Sequence, residues 1–397
     1  MKTADYISDT ESSNPFHRQP ARANARATAG GIARLLAVCA ALALAACAEV
    51  PQVKERKVPE APLVFPAPPD EPRFYYERTL YGSPDVAAED KNSKLRQLLT
   101  GQGERGGEGL GKPFSVTTYH GKVFVSDTVN RDVRVFDFPN RRFYKIGDAG
   151  PGQLIKPAGL DVDRNGNLYV ADATAKAVKV YDAEGNFLRQ IGSEKWFDRL
   201  SSVTLDPRGD RMYVVDIGGV SSNHHRVRVF DPVTGRHLFD FGRRGSGPGE
   251  FNLPYDLAVG KDGRLYVVDA GNFRVQIFDH DGKYLKSFGQ LGKQLGDFAR
   301  PKEIATDAQG NVYVVDAAHG NFQIFDPDGQ LLLFIGQHSE QDRPAGYMLP
   351  SGIHVDEDGR VYFVDQWFRK IDVFRPARLQ PGEGWLAGKN PQAPPTK

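Results

Sequence analysis

Residues 255–269 read YDLAVGKDGRLYVVD, and the same frame returns several times along the chain. It recurs at residues 158–172, 302–316 and 351–365, with one extra residue at 201–216, and in a degenerate copy that ends at residue 127. Every copy closes on an aspartate, and the six are Asp127, Asp172, Asp216, Asp269, Asp316 and Asp365. Their spacings of 45, 44, 53, 47 and 49 residues predict six structural repeats in one array.

Each of the first five copies contains four short strand signals separated by turns. In the fourth copy the second strand, residues 265–268, is apolar on both faces, as a strand between neighbouring sheets needs to be. The third strand, residues 274–278, alternates, and the fourth ends at Phe288 and Gly289. Four antiparallel strands in about 47 residues are typical of a propeller blade, so we predict an all-β, six-bladed β-propeller.

The sixth copy stops after its third strand, at residues 371–374. Residues 75–82, which precede the first copy, have the character of an unpaired fourth strand. We therefore predict that this N-terminal strand completes the sixth blade and closes the ring, since closure removes open sheet edges that favour aggregation.

Two segments carry a resemblance to a known repeat. The linker GRRGSGPGEFNLP at residues 242–254 and the strand region VDAGNFRVQIFD at residues 268–279 resemble the NHL-repeat consensus. The resemblance covers residues 73–376 and implies a six-bladed propeller over that range.

The N-terminal region has the features of an export signal. An apolar run at residues 35–46 follows several arginines and is too short to span a bilayer as a helix. It ends LAAC at residues 44–47, which resembles the bacterial lipobox and implies a lipidated Cys47. An ordinary signal peptide with an incidental cysteine is the alternative. Residues 1–30 are long for a leader, and a translation start placed too far upstream remains open.

These features divide the chain into a signal peptide and leader (1–46), a lipidated Pro-rich tether (47–72), the propeller (73–376) and a disordered tail (377–397). In the lipoprotein resemblance, the Ala48 that follows the cysteine implies sorting to the outer membrane. We therefore expect a protein of the bacterial cell envelope that faces the periplasm.

Composition narrows the function classes. Lys plus Arg number 51 and Asp plus Glu 50, a balance that gives no support to a nucleic-acid partner. The two cysteines, Cys39 and Cys47, both precede the repeats, so the predicted propeller has no thiol for redox chemistry.

The six closing aspartates are predicted to be structural, because an Asp at a strand end accepts N–H bonds from the loop that follows. Gluconolactonase-type propellers, which the fold resembles, use one such Asp as a metal ligand, together with an Asn where this chain has Ser201 or Ser202. Residues 161–172 mimic a calcium-loop spacing, but in a strand–turn–strand context.

Candidate site residues fall in three groups. His224 and His319 occupy equivalent loops and are candidate zinc ligands, although a loop hydrogen-bonding role is the simpler interpretation. Asp256 and Glu303 follow prolines in adjacent blades and are placed near the channel mouth, to bind a cation or to form a solvated rim. Candidate interface aromatics on the same face are Trp196, Phe273, Trp367 and Phe368.

No complete catalytic constellation is recognisable, so the sequence favours a scaffold that binds an envelope protein, a peptide or another ligand. We expect no cofactor under this hypothesis. The alternative is a metal-dependent lyase or lactonase at the channel mouth, with calcium or zinc and some of His224, His319, Asp216, Asp256 and Glu303.

Overall fold

The computed structural model describes residues 62–86, 107–219 and 221–387. The chain divides into residues 1–60 and 61–397, and all described residues belong to the second unit. Cys47 and the predicted signal peptide lie outside the described residues.

Seven β-sheets occur in the described residues, six that correspond to the predicted blades and one short two-stranded sheet. The chain enters through β1 (Val64–Phe65) and β2 (Phe74–Leu80). Blade 1 contains β3 (Pro113–Tyr119), β4 (Lys122–Asp127), β5 (Asp132–Asp137) and β6 (Arg142–Ile146). Blade 2 contains β7 (Pro157–Val162), β8 (Leu168–Asp172), β9 (Ala177–Tyr181) and β10 (Phe187–Ile191). Blade 3 contains β11 (Leu200–Leu205), β12 (Met212–Asp216), β13 (Arg226–Phe230) and β14 (His237–Phe241).

The second half of the ring repeats this plan. Blade 4 contains β15 (Pro254–Val259), β16 (Leu265–Asp269), β17 (Arg274–Phe278) and β18 (Tyr284–Phe288). Blade 5 contains β19 (Pro301–Thr306), β20 (Val312–Asp316), β21 (Asn321–Phe325) and β22 (Leu331–Ile335). A short parallel pair, β23 (Gln337–His338) and β24 (Gly346–Tyr347), precedes β25 (Pro350–Val355), β26 (Val361–Asp365) and β27 (Lys370–Pro376) of blade 6. Short 3₁₀ helices occur at Ser83–Asp85, Ala270–Asn272 and Trp385–Ala387.

The N-terminal strand closes the ring as predicted. Strand β2 pairs antiparallel with β27, in a register that places Leu80 opposite Ile371, and so supplies the fourth strand of blade 6. The Arg360 guanidinium, which is fully buried, donates to the Glu77 carboxylate at 2.7 Å and ties this strand to the blade. The first strand of each blade contacts those of both neighbours, and β25 contacts β3, so the ring is continuous.

The hydrophobic core lies between the blades. Six clusters of buried apolar side chains occur in the described residues, one between each pair of neighbouring blades. Linker aromatics such as Phe251 and Phe298 are fully buried in two of these clusters. The second strands are buried along their whole length, which explains why their sequences are apolar on both faces.

The closing aspartates are structural. All six are fully buried, and each accepts backbone N–H bonds from the linker that precedes its blade. Asp365, for example, accepts from Met348 N, Leu349 N and Phe368 N at 2.8–2.9 Å. Each aspartate therefore fixes the loops at one end of its blade.

The chain past Pro376, for which the sequence predicted disorder, continues as a described segment to Ala387. The ring of Trp385 stacks on His120 with centroids 4.5 Å apart, and Leu386 is buried. In the part of the chain that the structure describes, no helix has the length and apolar character needed to cross a membrane.

Candidate functional site

The two ends of the channel differ in what surrounds them. Because the strands are antiparallel, the loops between second and third strands lie on the same face as the linkers between blades, which we call the loop face. The opposite face, which we call the turn face, carries the turns after the first and third strands, such as residues 163–167 and 231–236.

A pair of aromatic side chains, which we call the plug, lies across the loop-face end of the channel. Phe114 of blade 1 and Tyr255 of blade 4 come from opposite sides of the ring, and their rings stack with centroids 6.3 Å apart. Ser351 Oγ donates to the Phe114 carbonyl at 2.7 Å, and Ser201 Oγ donates to the Tyr255 carbonyl at 2.8 Å. Neighbouring blades thus hold both halves of this plug in place.

Below the plug, the channel forms a cavity of about 700 Å³ that opens on the turn face. Its walls come from the first strands of all six blades, and its rim includes residues of the turns such as Arg164, Pro207 and Val233. The cavity contains carboxylates and hydroxyls among apolar side chains.

Asp256 and Glu303 lie inside this cavity, and the placement at a loop-face rim is therefore corrected. Each is the third residue of its strand, one step below the plug layer, and both are buried, at 6% and 4% exposure. Asp256 accepts from Ser202 Oγ at 2.5 Å and from Ile304 N at 2.9 Å. Glu303 accepts from Ser115 Oγ at 3.1 Å and from Ile353 N at 3.3 Å.

Asp161 is a third carboxylate in this cavity. The sequence analysis noted it only as part of a stretch with the spacing of a calcium loop. Its oxygens accept from Val162 N and Leu205 N at 2.8 Å. The other acidic residues of that stretch do not lie with Asp161. Asp163 accepts from the backbone N–H groups of Asn165 and Asn167 in its own turn, whereas Asp172 accepts from linker amides on the loop face.

Burial governs the ionisation of the three carboxylates. It raises the pKa of Asp161 and of Asp256 to about 6. Burial and, second, the charge of Asp256 raise the pKa of Glu303 well above its usual range. The charge of Asp256 also acts on Asp161, so the three groups share one electrostatic environment.

The candidate metal ligands are on the loop face and apart from these carboxylates. His224 Nδ1 lies 3.1 Å from Asp198 Oδ2, and His319 Nε2 lies 3.2 Å from the Gly292 carbonyl oxygen. Among the described residues, no three His, Cys, Asp or Glu side chains are grouped as a metal site would require. The structure therefore gives both histidines local hydrogen-bonding contacts and does not bring them together with Asp256 or Glu303.

The predicted interface aromatics all lie on the loop face but in different settings. Trp367 is 62% exposed, and Trp196 is 38% exposed and packs beneath the Arg228 guanidinium. Phe273 and Phe368 are half-buried, and Phe273 packs against the core between blades 4 and 5. Trp367 is thus the most accessible of the four.

Basic side chains surround the plug, a feature that the charge balance of the whole chain concealed. Four immediately precede a first strand and three precede a third strand, and these seven are Lys112, Lys156, Arg199, Arg300, Arg131, Lys176 and Arg369. Six are exposed and Lys176 is half-buried. None forms an ion pair with a carboxylate of residues 62–86, 107–219 or 221–387.

Several acidic side chains of this face are already engaged with neighbouring groups. Asp198 accepts from Ser222 and contacts His224, and Glu250 pairs with Arg243 at 2.9 Å. Burial, and second the Arg300 charge, lower the pKa of Lys302 to about 8, whereas the charges of Glu303 and Asp365 act in the opposite direction. The loop face thus carries seven basic side chains that form no ion pair with the described carboxylates, together with the Phe114–Tyr255 pair.

Comparison with known proteins supports the repeat interpretation. The model of the NHL repeat matches residues 251–278, and a model described as a 6-bladed beta-propeller matches residues 109–206. NHL repeat-containing protein 3 of Homo sapiens is 29% identical over 113 residues, which cover 26% of this chain and 31% of the relative. Peptidyl-glycine alpha-amidating monooxygenase B of Xenopus laevis is 30% identical over 146 residues, which cover 34% of this chain and 16% of the relative. The chain thus matches less than a third of the length of each of these relatives.

Among solved structures, a gluconolactonase from Xanthomonas campestris is similar in fold. It superposes with a TM-score of 0.53 at 15% identity, covering 76% of this chain and 98% of that one. At this identity the likeness concerns the arrangement of blades alone.

Proposed function

We propose that this chain, a six-bladed β-propeller with NHL-type repeats, is a binding protein whose loop face takes an acidic, partly apolar segment of a protein partner. The observation that carries the proposal is the set of seven basic side chains around the Phe114–Tyr255 plug that lack an ion-pair partner within the described residues. Unpaired like charges on one face repel one another, and an acidic partner relieves that repulsion.

Apolar side chains between the cations favour a protein segment over a wholly polar polyanion. Exposed on the loop face are Val129, Ile155, Trp196, Leu253, Leu291, Leu295 and Trp367. An interface with a central aromatic group, apolar contacts and a charged rim is the usual composition of a protein–protein site.

The alternative of a metal-dependent lyase or lactonase needs its residues in one place. His224 and His319 lie on the loop face, whereas Asp256 and Glu303 lie beneath the plug. Asp216 is fully buried and accepts from Asp198 N and Arg199 N. This dispersion supports binding over catalysis by that set of residues.

The proposal includes an envelope location. Lipidation of Cys47 would hold the propeller at the outer membrane, facing the periplasm, where nucleic acid is not an available partner. Labelling growing cells with a fatty-acid analogue tests this: the full chain should be labelled and sediment with membranes, and Cys47→Ser should lose both properties. An unlabelled wild-type chain would refute the anchor.

Site-specific photo-crosslinking in cells tests the binding proposal. A photoreactive residue in place of Lys156, on the loop face, should capture one defined envelope protein. The same residue in place of Val233 on the turn face, which is 72% exposed, is the matched control. Equal capture from both faces, or capture of nucleic acid from the loop face, would contradict the proposal.

A further inference from the structure

The turn-face cavity offers a second, separate site. A volume of about 700 Å³ lies within the usual range for small-molecule sites. The Phe114–Tyr255 plug lies across the other end of the channel, and the cavity opens on the turn face, where a ligand can enter.

The carboxylates in the cavity have unused acceptor capacity. Asp161, Asp256 and Glu303 each accept two of the hydrogen bonds described above, whereas a carboxylate offers about four acceptor positions. None of the three forms an ion pair within the described chain. Three buried acids without a cation are costly in their ionised form.

The basic groups in the wall do not supply that cation. Arg164 lies at the rim, where its guanidinium donates to the Arg208 carbonyl. Burial lowers the pKa of His354 to about 4, so this side chain is neutral at physiological pH. The charge of Lys302, the preceding residue of the strand, does act on Glu303, but Lys302 is not among the residues that line the cavity. No basic side chain of the lining forms an ion pair with the three acids.

A second observation at the same cavity points to a ligand. Thr118 lines the wall and is only 7% exposed, yet its hydroxyl oxygen has no hydrogen-bond partner among the described residues. Buried hydroxyls are ordinarily satisfied, so an unpaired one in the wall of the same cavity marks a place for another polar group.

The remaining wall is apolar. Leu160, Leu205, Val259 and Ile353 line the cavity alongside the acids. A hydrated metal ion gains nothing from such a surface, whereas the hydrocarbon part of an organic amine packs against it.

We propose that the turn-face cavity binds a small organic cation, with its ammonium group among Asp161, Asp256 and Glu303 and its hydrocarbon part against the apolar wall. The raised pKa values of Asp161 and Asp256, about 6 each, agree with this site. A bound ammonium favours the ionised carboxylates, so binding releases protons near pH 6 and strengthens as pH rises. The other titratable side chains in the wall are Tyr119, Asp163, Tyr169, Asp206, His354 and Glu357.

Calorimetric titration of the full chain tests the proposal with 1,4-diaminobutane and choline as probes and 1,4-butanediol as the neutral analogue. At pH 7.5 we expect saturable binding of at least one amine at about 1 mM or tighter, and about tenfold weaker binding at pH 5. Asp256→Asn should weaken this binding about tenfold. Glu184→Gln, which removes an exposed turn-face carboxylate outside the cavity, should leave it unchanged.

Asp161→Asn is the second variant, and a thermal melt of each variant reports its folding. The proposal is overturned if neither amine binds at pH 7.5, or if 1,4-butanediol binds as tightly as the amines. Calcium chloride binding in place of the amines would also overturn it, as would wild-type affinity in a folded Asp161→Asn or Asp256→Asn protein.

Discussion

The rings of Phe114 and Tyr255 stack across the propeller channel although their strands belong to blades on opposite sides of the ring. The stack separates two chemically different spaces. On the loop face lie unpaired cations, and on the turn-face side lies a cavity with Asp161, Asp256 and Glu303. This contact thus lies between a face with unpaired cations and a cavity with buried carboxylates.

The first prediction concerns the plug itself. Single and double alanine variants of Phe114 and Tyr255 should show a coupling of about 0.5–1.5 kcal/mol in urea unfolding, because aromatic pairs contribute about that much beyond burial. Phe114→Ala with Tyr284→Ala is the control, since Tyr284 lies on the outer strand and the two effects should add. If the changes in unfolding free energy caused by Phe114→Ala and Tyr255→Ala simply add in the double variant, the two rings do not contact each other in solution.

The second prediction concerns pH. Folding raises the pKa of Asp256 to about 6. Between about pH 4 and pH 6 the Asp256 carboxyl is therefore protonated in the folded state but ionised in the unfolded chain. The contribution of Asp256 to the free energy of unfolding is therefore greatest below about pH 4, and it is lost as pH rises to about 6. Asp256→Asn should gain stability relative to wild type between these pH values, by about 2–3 kcal/mol at most. A difference that stays constant from pH 4 to pH 7 would contradict the raised pKa.

The third prediction concerns the closing aspartates. Asp365→Ala leaves three backbone N–H groups without their acceptor, and we expect a loss of about 2–4 kcal/mol in the free energy of unfolding. Asp281→Ala, at an exposed turn, should change it by less than about 0.5 kcal/mol. Similar losses in the two variants would refute the structural role.

The fourth prediction concerns Trp367. Because its side chain is 62% exposed, Trp367→Ala should leave the melting temperature nearly unchanged. It should reduce capture of the cross-linked partner about fivefold or more, as expected for an aromatic interface anchor. Leu285→Ala on an outer strand is the control, and equal capture by both variants would remove Trp367 from the interface.

The ring was predictable because its signals repeat. Each closing aspartate occupies the same place in its blade, so one interpretation explains Asp127 and Asp365 alike. The pairing of the N-terminal strand was predictable because blade 6 otherwise lacks a fourth strand.

The plug and the cavity were not predictable, because the residues that face the channel differ from blade to blade. Phe114 and Tyr255 are 141 positions apart and meet only because the closed ring sets blade 1 opposite blade 4. Asp256 follows Pro254 by two positions, which suggested the channel mouth, but the intervening Tyr255 already belongs to the plug layer. The cations were missed because 51 basic and 50 acidic residues average to near neutrality over two unlike faces.

The most direct test of the binding proposal is fluorescence anisotropy of a labelled peptide of alternating Glu and Leu, titrated with the full chain. We predict that the double charge reversal Arg199→Glu with Arg300→Glu weakens binding at least about tenfold, and that added salt weakens wild-type binding. The turn-face reversal Arg208→Glu with Arg236→Glu should leave the affinity unchanged. Equal loss in both double variants, or wild-type affinity in the loop-face variant, would contradict an acidic partner on the loop face.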